Sequence, residues 1–95
     1  MTYRQNNRDD NEDALIELAQ AAGCFVKKMD RHAGFDDIIF CPRTGTHIVE
    51  VKNPAYKWEL TPAEKKMKAA VEAVGGVYNI IENDEQLKLL IGLYN

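Results

Sequence analysis

Apolar residues recur along this chain with two different periods, and the switches between them mark its elements. Residues 1–8 are polar throughout and read as a loose arm. From Glu12 the spacing turns helical: Leu15, Leu18, Ala19 and Ala22 fall at i, i+3, i+4 and i+7, and Gly23 is the stop. Asp10 or Asn11 suits the N-cap, and Glu12 and Asp13 suit the positive end of the helix dipole. Residues 25–29 read as a strand and residues 30–35, with Gly34, as a connection. Two β-branched runs, 37–40 and 46–52, flank the turn-rich Pro42-Arg43-Thr44-Gly45 and signal a hairpin. Asn53-Pro54 ends the second run, because proline cannot extend a ladder. Thr61-Pro62-Ala63-Glu64 opens a helix with a capping box and a proline at its first position. Met67, Ala70, Val71 and Val74 supply its apolar face, and Gly75-Gly76 end it. A strand over 77–81 follows, then a closing helix from Asn83 to about residue 93 with Leu87, Leu90 and Ile91 inward.

The order α-β-β-β-α-β-α predicts a mixed α/β fold: one domain over 9–95 whose four-stranded sheet is flanked by helices. No apolar run approaches the roughly 18 residues that span a bilayer, and the polar N-terminal segment is unlike a secretion signal. Membrane partnership is therefore not expected. Cys24 and Cys41 form no CxxC pair and no zinc-ligand spacing; they read as reduced, buried thiols of a cytoplasmic protein.

Charge changes the picture once its distribution is considered. The net charge of −3 argues against a nucleic-acid partner, yet residues 1–21 carry −3, residues 22–68 carry +3 and residues 69–95 carry −3. The basic excess falls on the middle of the chain, where the candidate chemistry lies, and phosphate binding follows the local field.

The candidate chemistry lies in Gly34-Phe35-Asp36-Asp37 and Glu50-Val51-Lys52. If Cys41 faces Thr46 across a four-residue turn, Asp37 faces Glu50, and Glu50 and Lys52 share a face by alternation. Opposed carboxylates, with Cβ atoms roughly 4.5–5.5 Å apart, repel unless a cation bridges them. Hard oxygen ligands suit Mg²⁺ or Mn²⁺, and a lysine alongside can position water or stabilise charge on a phosphate. A slip of one residue would put Asp36 in place of Asp37. The arrangement fails if the Asp37 and Glu50 carboxylates emerge on opposite faces of the sheet.

The order of these features resembles the VRR-NUC (virus-type replication-repair nuclease) branch of the PD-(D/E)XK superfamily. The matching pieces are Asp9-Asp10-Asn11-Glu12, Lys27-Lys28, Gly34-Phe35-Asp36-Asp37, Glu50-Val51-Lys52, Leu60-Thr61-Pro62-Ala63-Glu64 and Gly75-Gly76. The resemblance covers roughly residues 8–92. It implies a restriction-endonuclease-like core and a metal-dependent endodeoxyribonuclease. Asp37 and Glu50 would be metal ligands, the Val51 carbonyl and Glu12 would add to the set, and Lys52 would be the catalytic lysine. It further implies a homodimer acting on branched DNA such as four-way junctions, in a bacterial host and encoded by a phage or prophage. Alternatives are an inactive DNA-binding module of the same fold, or a nuclease acting on flaps, ends or RNA. This chain departs from the family pattern with Asp36 where a proline is usual, and with Glu64 where a glutamine is frequent, so Glu64 ranks as secondary.

Several other residues are candidate DNA contacts. Arg31 and His32 lie in the loop entering the first hairpin strand, whereas His47 lies on the sheet face away from Glu50 and reads as structural. Lys27 and Lys28 lie on the preceding strand. Tyr56, Lys57 and Trp58 interleave aromatic and basic groups that suit base stacking, a protein interface or a core cover. Lys65 and Lys66, with Lys68, suit either a DNA backbone or a solvated helix face.

Overall fold

In the computed structural model the backbone is described over residues 3–93 and the side chains over 11–30 and 32–93. The elements are α1 (Tyr3–Ala21), β1 (Phe25–Lys28), a 3₁₀ turn (Arg31–Ala33), β2 (Asp37–Cys41), β3 (Gly45–Val51), α2 (Pro62–Ala73), β4 (Tyr78–Ile81) and α3 (Asp84–Ile91). The expected order holds. The start of α1 differs: it begins at Tyr3 and takes in residues assigned to a polar arm, so neither Asp10 nor Asn11 is its cap. Residues 3–21 contain no glycine or proline, so nothing in the backbone stops the helix from extending back along the polar segment.

The sheet runs β1-β2-β3-β4. The first two pairings are antiparallel and β3 pairs with β4 in parallel, with α2 supplying the crossover. The hairpin register corrects the sequence expectation by one residue. Gly45, at φ 93°, joins the ladder opposite Cys41 instead of staying in the turn, which shortens the connection to 42–44. Asp37 consequently pairs with Val49, and Ile39 with His47. By strand alternation Asp37 shares a face with Val49, and Glu50 projects from the other. Asp36 N, just before β2, also donates to Val49 O at 3.0 Å, so Asp36 and Asp37 together face one residue of β3 as in a β-bulge.

One face of the sheet carries the core. Ile39, Cys41, Val49, Val51 and Ile81 pack there with Leu15 and Ala19 of α1 and Leu87 and Ile91 of α3. Arg43, in the hairpin turn, ties these helices together: its guanidinium donates to Ile91 O at 3.1 Å and Ala22 O at 3.0 Å, both at helix C-termini.

The other face is covered by α2. Its capping box forms as expected, with Thr61 N donating to Glu64 Oε1 at 2.9 Å and Glu64 N to Thr61 Oγ1 at 3.2 Å. Its apolar stripe is only partly used: Met67 and Val71 are half-buried, whereas Ala70 and Val74 are exposed, Val74 by 85 %. The helix sits close over Gly34 (φ 84°), where an added Cβ would lie 2.8 Å from Met67 Cβ. Among the described residues no helix is long and apolar enough to cross a membrane.

Candidate active site

Among the described residues, five acidic or basic side chains are buried: Glu12, Asp37, Glu50, Lys52 and Glu64. Lys and Glu are almost never buried without a partner, so their concentration around the ends of β2 and β3 marks a built site. The sheet divides them into two groups.

On the α1 face, Asp37 (1 % exposed) lies against Glu12 from the third turn of α1. Burial first, and then the neighbouring Glu12 carboxyl and the charge of Asp36, push the Asp37 carboxyl far above the carboxylate range. Asp37 Oδ1 is buried with no hydrogen-bond partner among the described residues. Lys28 borders this pair, 3.8 Å from Glu12 Oε1 and 3.6 Å from Asp13 Oδ1.

On the α2 face, Lys52 (3 % exposed) lies between two acids, its Nζ 3.1 Å from Glu50 Oε2 and 2.9 Å from Glu64 Oε1. Burial raises Glu50, and Glu64 and Asp36 add to this. Burial acts the same way on Glu64, but hydrogen bonds from Glu50, the Thr61 backbone and Lys52 outweigh it and lower that carboxyl. Tyr78 backs the group: its hydroxyl donates to Gly34 O at 2.6 Å, and burial followed by the nearby carboxylates raises its pKa.

Asp36 stands between the two groups. Its Oδ2 accepts from Val51 N at 2.8 Å, and its charge acts on both Asp37 and Glu50. At the same strand end Asn11 Nδ2 donates to Lys52 O at 3.1 Å, which fixes α1 against β3.

The structure therefore brings Glu12 to Asp37 and Lys52 to Glu50, but it does not place Asp37 opposite Glu50. The carboxylate in contact with Glu50 is that of Glu64, and the charge of Asp36 also reaches it. Glu64 does more than cap its helix, because the same oxygen receives Thr61 N and the Lys52 ammonium. Asp36, Asn11 and Tyr78 were absent from the sequence-derived site. The one-residue slip in register was the available signal for Asp36; Asn11 and Tyr78 belong to elements distant in sequence. Of the candidate DNA contacts, Lys27, Lys28, Lys57, Lys65 and Lys66 are exposed, as is His32, whose backbone N–H is bound by Asp30. The Arg31 side chain lies outside the described residues. His47 is half-buried on the core face, its ring 2.8 Å from Thr44 Oγ1.

Donor chemistry at Glu12 and Asp37 fits a hard cation: two buried acids in contact, with one carboxyl oxygen lacking a partner. The set is incomplete, however. Among the described residues no three His, Cys, Asp or Glu side chains gather closely enough to hold a metal ion.

No protein-family model matches the chain, and no curated protein matches it. A solved structure titled "VRR_NUC domain" aligns over 93 % of this chain and 97 % of its own, with a TM-score of 0.69 and 22 % sequence identity. The fold is thus a small mixed α/β fold of the restriction-endonuclease-like class. Within that class, the chain is similar to this VRR_NUC domain over nearly its whole length.

Proposed function

We propose that this protein is a Mg²⁺- or Mn²⁺-dependent endodeoxyribonuclease. The observation carrying the proposal is the burial of Glu12, Asp37, Glu50, Lys52 and Glu64 around one end of β2 and β3, on a fold shared with a VRR_NUC domain. Glu12 and Asp37 would hold the cation, with the Val51 carbonyl as a further donor, while Glu50, which projects from the other face, would act through Lys52 and not as a ligand of that ion. A bound divalent ion supplies Lewis-acid polarisation of a phosphate oxygen and an acidified water. Lys52 presents its ammonium to charge developing on the phosphate, while Glu50 and Glu64 hold it in place. Tyr78, through Gly34 O, steadies the loop leading into β2. Lys27, Lys28, Lys57, Lys65 and Lys66, with Arg31 and His32, are the proposed contacts to DNA backbone.

The proposed substrate is branched DNA, including four-way junctions, cut by a homodimer, since so small a chain offers little surface to grip a duplex. A second reading is a DNA-binding module of this fold that does not cut. Two observations favour it: the register sends Asp37 and Glu50 to opposite faces, and among the described residues no group of three donors is assembled.

Labelled duplex, flap and four-way-junction DNA, incubated with Mg²⁺, Mn²⁺ or chelator, decide between the two. The nuclease reading expects cutting that needs the metal and is lost in Lys52→Ala, by about 10²-fold or more. Binding to junctions with no cutting under either metal would overturn it in favour of the binding module.

A further inference from the structure

The loop between β3 and α2 carries groups that phosphodiester chemistry leaves unused. Asn53, Tyr56, Lys57, Trp58 and Glu59 line, together with Lys52, a cavity of about 450 Å³, within the roughly 300–1,000 Å³ typical of small-molecule sites. The loop is held at both ends. Asn53 Oδ1 accepts from Ala55 N at 2.9 Å, and Tyr56 N donates to Asn53 O at 3.1 Å. The Trp58 indole N–H donates to Glu82 Oε2 at 2.8 Å, which ties the ring by its edge and not by a face. Both rings stay partly in water, Trp58 by 37 % and Tyr56 by 45 %. The Lys52 ammonium lies 5.8 Å from the indole centroid, within cation–π range, so the cavity opens directly onto the candidate active site.

We infer that this cavity is a nucleobase site, which takes one unpaired base stacked on an aromatic ring while Lys57 meets the adjoining phosphate. The inference rests on the reading of the protein as one that acts on DNA. An aromatic face accepts any base, because every base has a π-face, and Lys57 answers the phosphate charge that accompanies it. Glu59 and Asn53 offer an acceptor and a mixed donor–acceptor to a base edge. A base inside an intact duplex cannot reach such a cavity, so the occupant comes from a single strand, a flap or the opened centre of a junction. The cavity would thus recognise a local absence of pairing next to the phosphate at Lys52.

Trp58 is the one tryptophan in the sequence, so its fluorescence reports this cavity. In chelator and at one salt concentration, the full-length protein is titrated with a short oligothymidine strand, an abasic strand of equal length and a blunt duplex. Saturable quenching by oligothymidine is expected, with the abasic strand and the duplex each at least about 5-fold weaker. By anisotropy of labelled strand, Trp58→Ala should weaken oligothymidine binding by about 5- to 100-fold, and Trp58→Phe should restore most of it. Circular dichroism checks folding; Tyr56→Ala retains the reporter and should weaken oligothymidine but not the abasic strand. Equal affinity and equal quenching for the two strands would overturn the inference, as would both alanine variants binding like wild type. The two readings fail separately. Base-dependent quenching without metal-dependent cutting sinks the nuclease and leaves the cavity, whereas cutting with base-independent quenching does the reverse.

Discussion

Asp37 and Glu12 are two acids in contact, buried on the core face, where Asp37 does not ionise easily. Burial, then Glu12, raises the folded-state pKa of Asp37 above its unfolded value; burial does the same for Glu50. Above a pH of about 4 the unfolded chain has released these protons while the folded protein keeps them. Their contribution to stability is therefore present at low pH and is lost as pH rises toward the raised folded values. In chelator, the thermal unfolding midpoint should fall between about pH 5 and pH 8. Asp37→Asn should flatten that slope and raise stability at pH 8 by about 1–3 kcal/mol, since an amide removes the buried charge. An unaltered slope in calorimetry would show that the Glu12–Asp37 pair is not strained by charge. Lys52 behaves oppositely: its removal leaves Glu50 and Glu64 buried without their shared cation, so loss of activity in Lys52→Ala must be read beside a folding measurement.

At the scale of elements, the site depends on how closely α2 approaches the loop before β2. Gly34 permits that approach twice over, through its positive φ and its missing Cβ. Gly34→Ala should cost about 2–4 kcal/mol, combining left-handed strain with overlap against Met67. The Met67→Ala background should return the overlap part but not the strain, which a denaturant-melt double-mutant cycle measures. The hairpin is the second controlling element. Its glycine-closed turn moves the register by one residue, and that shift puts Asp37 with Glu12 rather than opposite Glu50. The runs of β2 and β3 were legible from their β-branched residues, and the capping box of α2 from four consecutive letters. The register was not, because it depends on whether Gly45 stays in the turn or enters the ladder, and the same letters allow both.

For the whole molecule, one face of the sheet is sealed and the other is half open. Leu87 and Ile91 are fully buried between α3 and the sheet, so Leu87→Ala should cost about 2–5 kcal/mol. For a domain of this size that is a large share of a net stability of roughly 5–15 kcal/mol. On the opposite face α2 leaves the Phe25–Phe40 ring pair uncovered, with centroids 5.6 Å apart, and Val74 and Val77 are exposed as well. This apolar surface supports the proposed homodimer. Light scattering on wild type should give twice the chain mass, and Phe40→Lys should give one, with secondary structure unchanged. A monomeric wild type at assay concentration removes the dimer from the proposal.

The elements and their order follow from the chain alone, because apolar period, caps and glycine–proline breaks are local properties. So does the pairing of Glu50 with Lys52, since residues two apart on a strand share a face in any register, whereas the role of Glu12 was implied only by resemblance. Which carboxylate meets which was decided only in three dimensions. The Glu12–Asp37 contact, Asp36 bound to the Val51 N–H and Glu64 shared between cap and lysine each join elements distant in sequence. Their geometry is set by a turn closure, a bulge and a helix approach, none of which a hydrophobic pattern encodes.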